Sequence, residues 1–290
     1  MRKNYGTAYL LLIPTFIVII SFIYYPAYYT FKLSFHRMTP FGNRIIYVGL
    51  KNYIRLFQDP EYILSIKITF WFLVFTVSLG MLLSFLFALL LNQKVPGTKF
   101  YRTLIFAPYA ISPAIAGTLW AFLLNPVVGH LNYLLLKFFG LQVEWLTTRP
   151  YAFFAVALAT VWKNLAFGII FYLAGLQGVP DDIIEAAMID GASAFRRVVS
   201  IILPYLSPIT FYLIIMNIIS SMFASFGTID VMTAGGPAGS TSILMYKLFL
   251  DAFTYSRTGA AAAQTVILFI FMVIVTIVYF KYGQKTVHYQ

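Results

Sequence analysis

Four polar side chains stand inside stretches that are otherwise apolar: Lys163 and Asn164 mid-way along one, Asn217 in the next, and Gln264 in the last. Ser220 and Ser221 accompany Asn217. Inside a bilayer such groups are costly, and they mark either helix contacts or a transport pathway. The plainer role is an interhelical hydrogen bond, worth about 0.6 kcal/mol on average. Lys163 asks for more. An ammonium held away from water needs a counter-charge, carbonyls or a water-filled cavity. No acidic residue lies mid-way along any apolar stretch. Its partner is then a carbonyl, a group on another chain, or an anion in transit. Lys163, Asn164, Asn217 and Gln264 are the candidate pathway residues.

Other chemistry is missing from the sequence. No Gly-x-x-x-x-Gly-Lys-Ser/Thr occurs, so the chain has no P-loop for ATP, and no His-Glu-x-x-His occurs. The three histidines, His36, His130 and His288, are far apart, and cysteine is absent, which excludes disulfides and thiolate metal sites. Neither a metal site nor a catalytic constellation is expected. If ATP drives this protein, a partner hydrolyses it.

The most polar long stretch between the late apolar runs is DDIIEAAMIDGASAFRRVVSIILP, residues 181–204, which holds four of the nine acidic residues. Pro180 with Asp181 and Asp182 suits a helix start, where the dipole favours negative charge. Gly191 suits the left-handed position past a helix end, and Ser193 can cap the next helix. The pattern predicts two short helices with a sharp break between them, closed by Pro204. The small residues Ala186, Ala187, Gly191 and Ala192 let another surface approach closely. This is a docking element rather than a catalytic one. An ordinary amphipathic helix at the membrane surface would read the same way on physics alone.

Glu185-Ala186-Ala187, three residues, Gly191, nine residues, then Ile201-x-Leu203-Pro204 resembles the EAA loop of ABC importer permeases. The likeness extends over nearly the whole chain. FAPYAISPAIAGTLWAFLLNP, VWKNLAFGIIFYLAGLQGVP and TAGGP look like segments of carbohydrate-type (maltose-permease-like) members. Pro108-Tyr109-Ala110 with Trp120, Asn125 and Pro126, the run AAAAQTVIL and the ending His288-Tyr289-Gln290 are most similar to the permeases of sn-glycerol-3-phosphate importers. The Trp162-Lys163 pair is shared more widely among sugar permeases.

The resemblance implies a type I importer permease with a cytoplasmic coupling helix. Glu185, Ala186, Ala187, Asp190, Gly191, Ile201, Leu203 and Pro204 would seat in an ATPase subunit. Gly235, Gly236 and Pro237 would face an extracytoplasmic substrate-binding protein. The other implied partners are a second homologous permease and two ATPase subunits, which would hold ATP and magnesium; this chain would hold no cofactor. The implied cargo is sn-glycerol 3-phosphate or a related glycerophosphodiester. A neutral sugar or oligosaccharide is the alternative. An ion-coupled secondary transporter is a different class, but it predicts charged relays or an inverted repeat, and neither is seen. A membrane enzyme lacks its constellation.

The elements that must position these residues follow from composition. The 290 residues are 61% hydrophobic and 10% charged, against roughly 25% charged in soluble domains. This is an all-α polytopic membrane protein. Twenty Lys and Arg against nine Asp and Glu give a net charge of +11. Apart from Lys163, these basic residues lie in loops beside apolar runs, so anionic lipid headgroups rather than nucleic acid are the expected partner.

Spanning takes about 20 mostly apolar residues, and six stretches qualify: 8–29, 68–92, 104–125, 151–175, 205–226 and 259–280. The third, interrupted by Pro108, Pro113 and Gly117, should be kinked. Arg2 and Lys3 before an apolar run imitate a signal peptide, but the run is long and lacks a prompt cleavage site, so a retained span is expected. HLNYLLLKFFGL suits a short interfacial helix, and residues 227–258 read as a loop that includes TAGGPAGST, a Gly-rich turn region.

The expected organisation is an N-terminal helix and long extracytoplasmic loop (1–67), a permease core (68–281) with the coupling loop at 176–204, and a cytoplasmic tail (282–290). With the N-terminus inside, basic residues count nine inside and ten outside; without the long first loop the count is nine against four. The second count, with the EAA likeness, places both termini in the cytoplasm of a bacterial inner-membrane protein.

Overall fold

The structure is a computed structural model that describes residues 5–39, 44–93 and 97–286. Arg2, Lys3, Lys94 and the last tail residues 287–290, His288 among them, lie outside the described residues. The chain divides into two compact units, Met1–Ile63 with Leu248–Met272, and Leu64–Lys247 with Val273–Gln290.

The chain opens with α1 (Tyr5–Ile19), a π-turn (Ile20–Tyr24) and α2 (Tyr25–Ser34), which together give the apolar stretch Tyr9–Ser34. A two-stranded antiparallel ribbon follows, β1 (His36–Met38) with β2 (Ile45–Tyr47), pairing Arg37 with Ile46. Next come α3 (Lys51–Gln58) and the long α4 (Pro60–Leu91). α5 (Thr98–Phe106) passes through a 3-10 turn (Ala107–Ala110) to α6 (Pro113–Leu123). α7 (His130–Phe139) falls where a short helix is expected, and α8 (Tyr151–Leu176) is the most buried span.

The polar stretch holds α9 (Asp181–Ile189) and α10 (Ala194–Arg197), which runs on through a π-turn (Val198–Ile202) into α11 (Leu203–Tyr205). α12 (Ser207–Ile219) with its π-turn (Ser220–Ala224), α13 (Phe226–Thr233), α14 (Leu244–Phe249) with the turn Leu250–Thr254, and α15 (Thr258–Thr286) complete the chain.

Among the described residues, five helices are long and apolar enough to cross a membrane, or six if the broken pair Phe100–Ala110 and Pro113–Leu123, bent by 105°, is one span. The expected kink is therefore a right-angled break. Its cause is local: Ile111 is extended, and Ser112 caps α6 by accepting from the Ile115 N–H at 3.3 Å, with Pro113 at the first helical position.

Two expectations from sequence need correction. The second span starts at Pro60 rather than 68, because Asp59 Oδ1 accepts from the Glu61 N–H at 2.9 Å and Pro60 opens the helix. Residues 227–258 are largely helical rather than a loop, with the turn confined to the Gly-rich part. The two short strands are a small departure from an all-α chain.

In the second unit, α4, α8 and α12 share an apolar cluster of Ala88, Leu91, Ile169, Tyr172, Leu173, Leu176, Leu206 and Leu213. Small residues set the helix spacing. A Cβ on Gly168 would collide with Ser84 Oγ, and that hydroxyl donates to the Leu165 carbonyl at 3.1 Å. Gly117 and Gly227 do the same for α6 against α13, where Thr228 Oγ1 donates to the Pro113 carbonyl at 3.1 Å. Such close approach drives helix association in a bilayer. Gly168→Leu is expected to force α4 and α8 apart and to lower stability by about 1–3 kcal/mol, the usual cost of overpacking. A thermal melt of the purified protein in detergent checks this; an unchanged midpoint would refute the tight contact.

Candidate functional site

The first candidate site is the α9–α10 elbow. Asp181 and Asp182 occupy the first turn of α9 behind Pro180. Its end is a Schellman cap. The Gly191 N–H donates to the Met188 carbonyl at 3.0 Å and the Ala192 N–H to the Ala187 carbonyl at 2.9 Å, with Gly191 at φ +77°. Ser193 then caps α10 by accepting from the Arg196 N–H at 3.3 Å. The angle between the arms is fixed further by Arg197 Nη1, which donates to the Ala192 carbonyl at 2.7 Å. At the base, the Tyr205 hydroxyl donates to the Gly178 carbonyl at 2.6 Å.

Glu185, Ala186, Asp190, Gly191, Leu203 and Pro204 are exposed, while Ala187 and Ile201 are half-buried. Large apolar side chains stand in the open beside them: Ile189 is 88% exposed and Phe195 78%, with Met188 about half exposed. Exposed apolar groups of this kind are what a contact surface requires.

The second candidate is a small cavity of about 100 Å³ between the 3-10 turn, α8 and α12, lined by Tyr109, Asn164, Phe167, Met216, Asn217 and Ser220. Lys163 stands next to it. Its Nζ lies 5.6 Å from the centre of the Tyr109 ring, a cation–π contact. Tyr109 stacks in turn on Phe167 at 6.1 Å. Asn217 Nδ2 donates to the Leu213 carbonyl at 2.8 Å, which leaves its carbonyl oxygen directed elsewhere.

A polar seam continues from this cavity between α4, α8 and α12, through Thr76, Ser84, Thr160, Asn164, Asn217 and Ser221. The Thr76 hydroxyl donates to Ser221 Oγ at 3.0 Å across two helices. Asn164 and Asn217 are thus brought together, with Lys163 at the edge.

Gln264 is placed differently. It belongs to the first unit, is 2% exposed, and donates through Nε2 to Asp251 Oδ2 at 2.6 Å. Asp251, 1% exposed, also lies 3.5 Å from Arg257 Nη1.

Gly235, Gly236 and Pro237 form a packed turn rather than an open loop. Gly235 is buried at φ +79°, and a Cβ there would meet the Tyr246 ring at 2.8 Å. The Gly236 and Pro237 carbonyls accept from Thr241 Oγ1 at 2.9 Å and from Arg149 Nε at 3.0 Å. Ala234 and Ala238 are its exposed positions.

Residues 79–287 match the family described as the inner membrane component of binding-protein-dependent transport systems. The chain belongs to that family. It is a multi-pass inner-membrane permease of the ABC importer class, with the type I permease fold. Among its relatives, the sn-glycerol-3-phosphate transport system permease protein UgpA of Escherichia coli O157:H7 is 38% identical over 97% of this chain and 95% of its own. UgpA of Agrobacterium fabrum is 38% identical over 97% and 96%.

Two solved structures share the fold. A bacterial ABC transporter involved in the import of the acidic polysaccharide alginate superposes with a TM-score of 0.85 at 22% identity, covering 98% of this chain and 96% of that one. The same kind of transporter in complex with an alginate pentasaccharide-bound periplasmic protein gives 0.82 at 22%, covering 96% and 93%.

Several residues of this permease escaped sequence reasoning. By residue type Met188, Ile189 and Phe195 are ordinary apolar positions of an amphipathic helix, and only their exposure separates them. The sequence marks Tyr109 only as part of a family pattern; its contact with Lys163 is hidden because the two are far apart in the chain. Thr76, Ser84 and Thr160 gave no signal, since hydroxyls are easily absorbed into a helix by bonding back to its carbonyls.

Proposed function

We propose that this permease is one of two homologous subunits forming the transmembrane pathway of an importer for sn-glycerol 3-phosphate or a related glycerophosphodiester. Near-full-length identity of 38% to UgpA carries the substrate assignment. Two ATPase subunits supply the energy and hold ATP and magnesium, while this chain holds no cofactor. An extracytoplasmic binding protein delivers the cargo near the turn at Gly235, Gly236 and Pro237. Both termini and the 181–204 elbow lie in the cytoplasm, with Glu185, Ala186, Ala187, Asp190, Gly191, Ile201, Leu203 and Pro204 as the residues that couple to an ATPase. ATPase closure moves the elbow as a rigid lever, and the bundle switches between inward- and outward-facing states. Lys163, Asn164 and Asn217 border the pathway, with Gln264 a structural partner of Asp251.

A second reading, a neutral-sugar importer, draws on the cavity itself: aromatic, amide and hydroxyl groups line it and no charged side chain does. Ligand identification on the co-purified binding protein separates the two. A glycerol phosphate in its mass spectrum supports the assignment; a neutral oligosaccharide overturns it and leaves the importer reading standing. Expressed without partners, this chain is expected to hydrolyse no ATP, and activity of the chain alone would refute the division of labour.

A further inference from the structure

A second cavity, of about 470 Å³, lies wholly within the first unit and shares no residue with the one beside Tyr109. Three guanidinium-bearing residues line it: Arg37 from β1, Arg55 from α3 and Arg257 from the turn before α15. Two carboxylates line it as well, and both are already engaged, Asp251 within the cavity by Arg257 itself, whose charge it offsets. Asp251 faces Arg257 and Gln264, and Asp59 caps the start of α4. Among the described residues, Arg37 and Arg55 make no salt bridge.

The architecture holds this space open. Asn52 Nδ2 donates to the Ser34 and His36 carbonyls at 2.8 and 2.9 Å, pinning α3 to the strand. A Cβ on Gly259 would collide with the His36 carbonyl oxygen, so glycine lets α15 begin against β1. That brings the first turn of a 29-residue helix, Thr258, Gly259 and Ala260, to the cavity wall. The Thr258 hydroxyl oxygen is buried there without a hydrogen-bond partner.

The location narrows the ligand. β1 and α3 follow the first span and α15 opens the last. With the broken pair counted as one of six crossings, the end of the first span and the start of the last fall on one side of the bilayer.

We propose that this cavity is a binding site for a phosphoryl oxyanion, either the headgroup phosphate of an acidic phospholipid or a free phosphate monoester. Guanidinium forks match phosphate oxygens two at a time. A helix N-terminus adds oriented N–H groups and the positive end of its dipole. The volume is that of a small-ligand site. The proposal holds whether or not the transported molecule carries phosphate.

The test uses the full chain with its partner subunits in nanodiscs, comparing wild type with the double variant Arg37→Gln/Arg55→Gln. Inorganic phosphate is titrated by calorimetry in phosphatidylcholine discs. Retention of phosphatidylglycerol is read by native mass spectrometry. One of the two should bind to wild type and weaken at least tenfold in the variant. Phosphate binding in phosphatidylcholine identifies a free-anion site, and phosphatidylglycerol retention alone identifies a lipid site. If the double variant fails to assemble, Ala260→Asp sets a carboxylate in the same wall at a position the helix dipole favours, and it should abolish the same signal. Wild type binding neither probe, variants binding as tightly as wild type, or a variant that alters only stimulation by the binding protein would each overturn the site.

Discussion

Gly191→Val is expected to leave the permease in the membrane at a normal level while separating ATP hydrolysis from transport. Gly191 sits at φ +77° with no atom within 4 Å of where a Cβ would stand. The substitution therefore meets no clash, and its cost is purely conformational. A left-handed residue with a Cβ is disfavoured by about 1–2 kcal/mol, with β-branched side chains worst. The chain can relieve this only by abandoning the left-handed turn. That breaks the Ala192-to-Ala187 and Gly191-to-Met188 hydrogen bonds and swings α10 away from α9.

The elbow lies at the surface, so the bundle does not depend on it for folding. The proposed lever does depend on it, since a lever with a soft corner dissipates the stroke. The measurement is uptake and ATP hydrolysis by the reconstituted importer, side by side. Hydrolysis should persist while uptake falls by an order of magnitude or more. Gly191→Asn is the control, because asparagine tolerates the left-handed region; it should recover most of the coupling. Full transport by the valine variant at normal expression would refute the lever.

The elbow was also the most legible part of the sequence. Its caps are local: Pro180, Gly191 and Ser193 each act on neighbours within a few residues, so residue type alone fixes the conformation. The spans were legible for a similar reason, since a bilayer demands long apolar runs. What stayed hidden depends on distant partners.

Residues 59 and 60 fall within the stretch expected as the long first loop, yet Asp59 and Pro60 start α4. Asp251 stood in what read as a loop, and nothing local reveals that Gln264 bonds to it. Proline content marks the break at Ile111 and Ser112 in the sequence, but not its 105° angle nor the close approach of α6 to α13 at Gly117 and Gly227. Arg37, Arg55 and Arg257 are scattered along the chain, and only the fold gathers them around one space.

Lys163→Met carries the other large effect. A phosphate monoester brings about −1.5 to −2 charges at neutral pH. Passing it through the middle of the bundle needs positive charge or oriented donors. Lys163 is the mid-span cation beside the cavity that Asn164 and Asn217 line, and its ammonium rests over the Tyr109 ring. That contact is weak, about 0.5–2 kcal/mol, so a passing phosphate can draw the ammonium off the ring at small cost. Methionine keeps the length and apolar bulk of the side chain and removes only the charge.

If Lys163 serves the pathway, Lys163→Met should cut glycerol 3-phosphate uptake by about tenfold to a hundredfold, as the loss of a hydrogen bond to a charged group, about 1.5–3 kcal/mol, would do. Assembly and basal ATP hydrolysis should stay normal. Tyr109→Leu separates ring from charge: it leaves the ammonium in place and should reduce uptake far less. Should Lys163 instead be structural, tied into the packing of the 3-10 turn on α8, both substitutions would impair assembly together. Unchanged uptake by Lys163→Met would remove this residue from the mechanism and return weight to the neutral-sugar reading, for which the amides and aromatic faces of the cavity suffice.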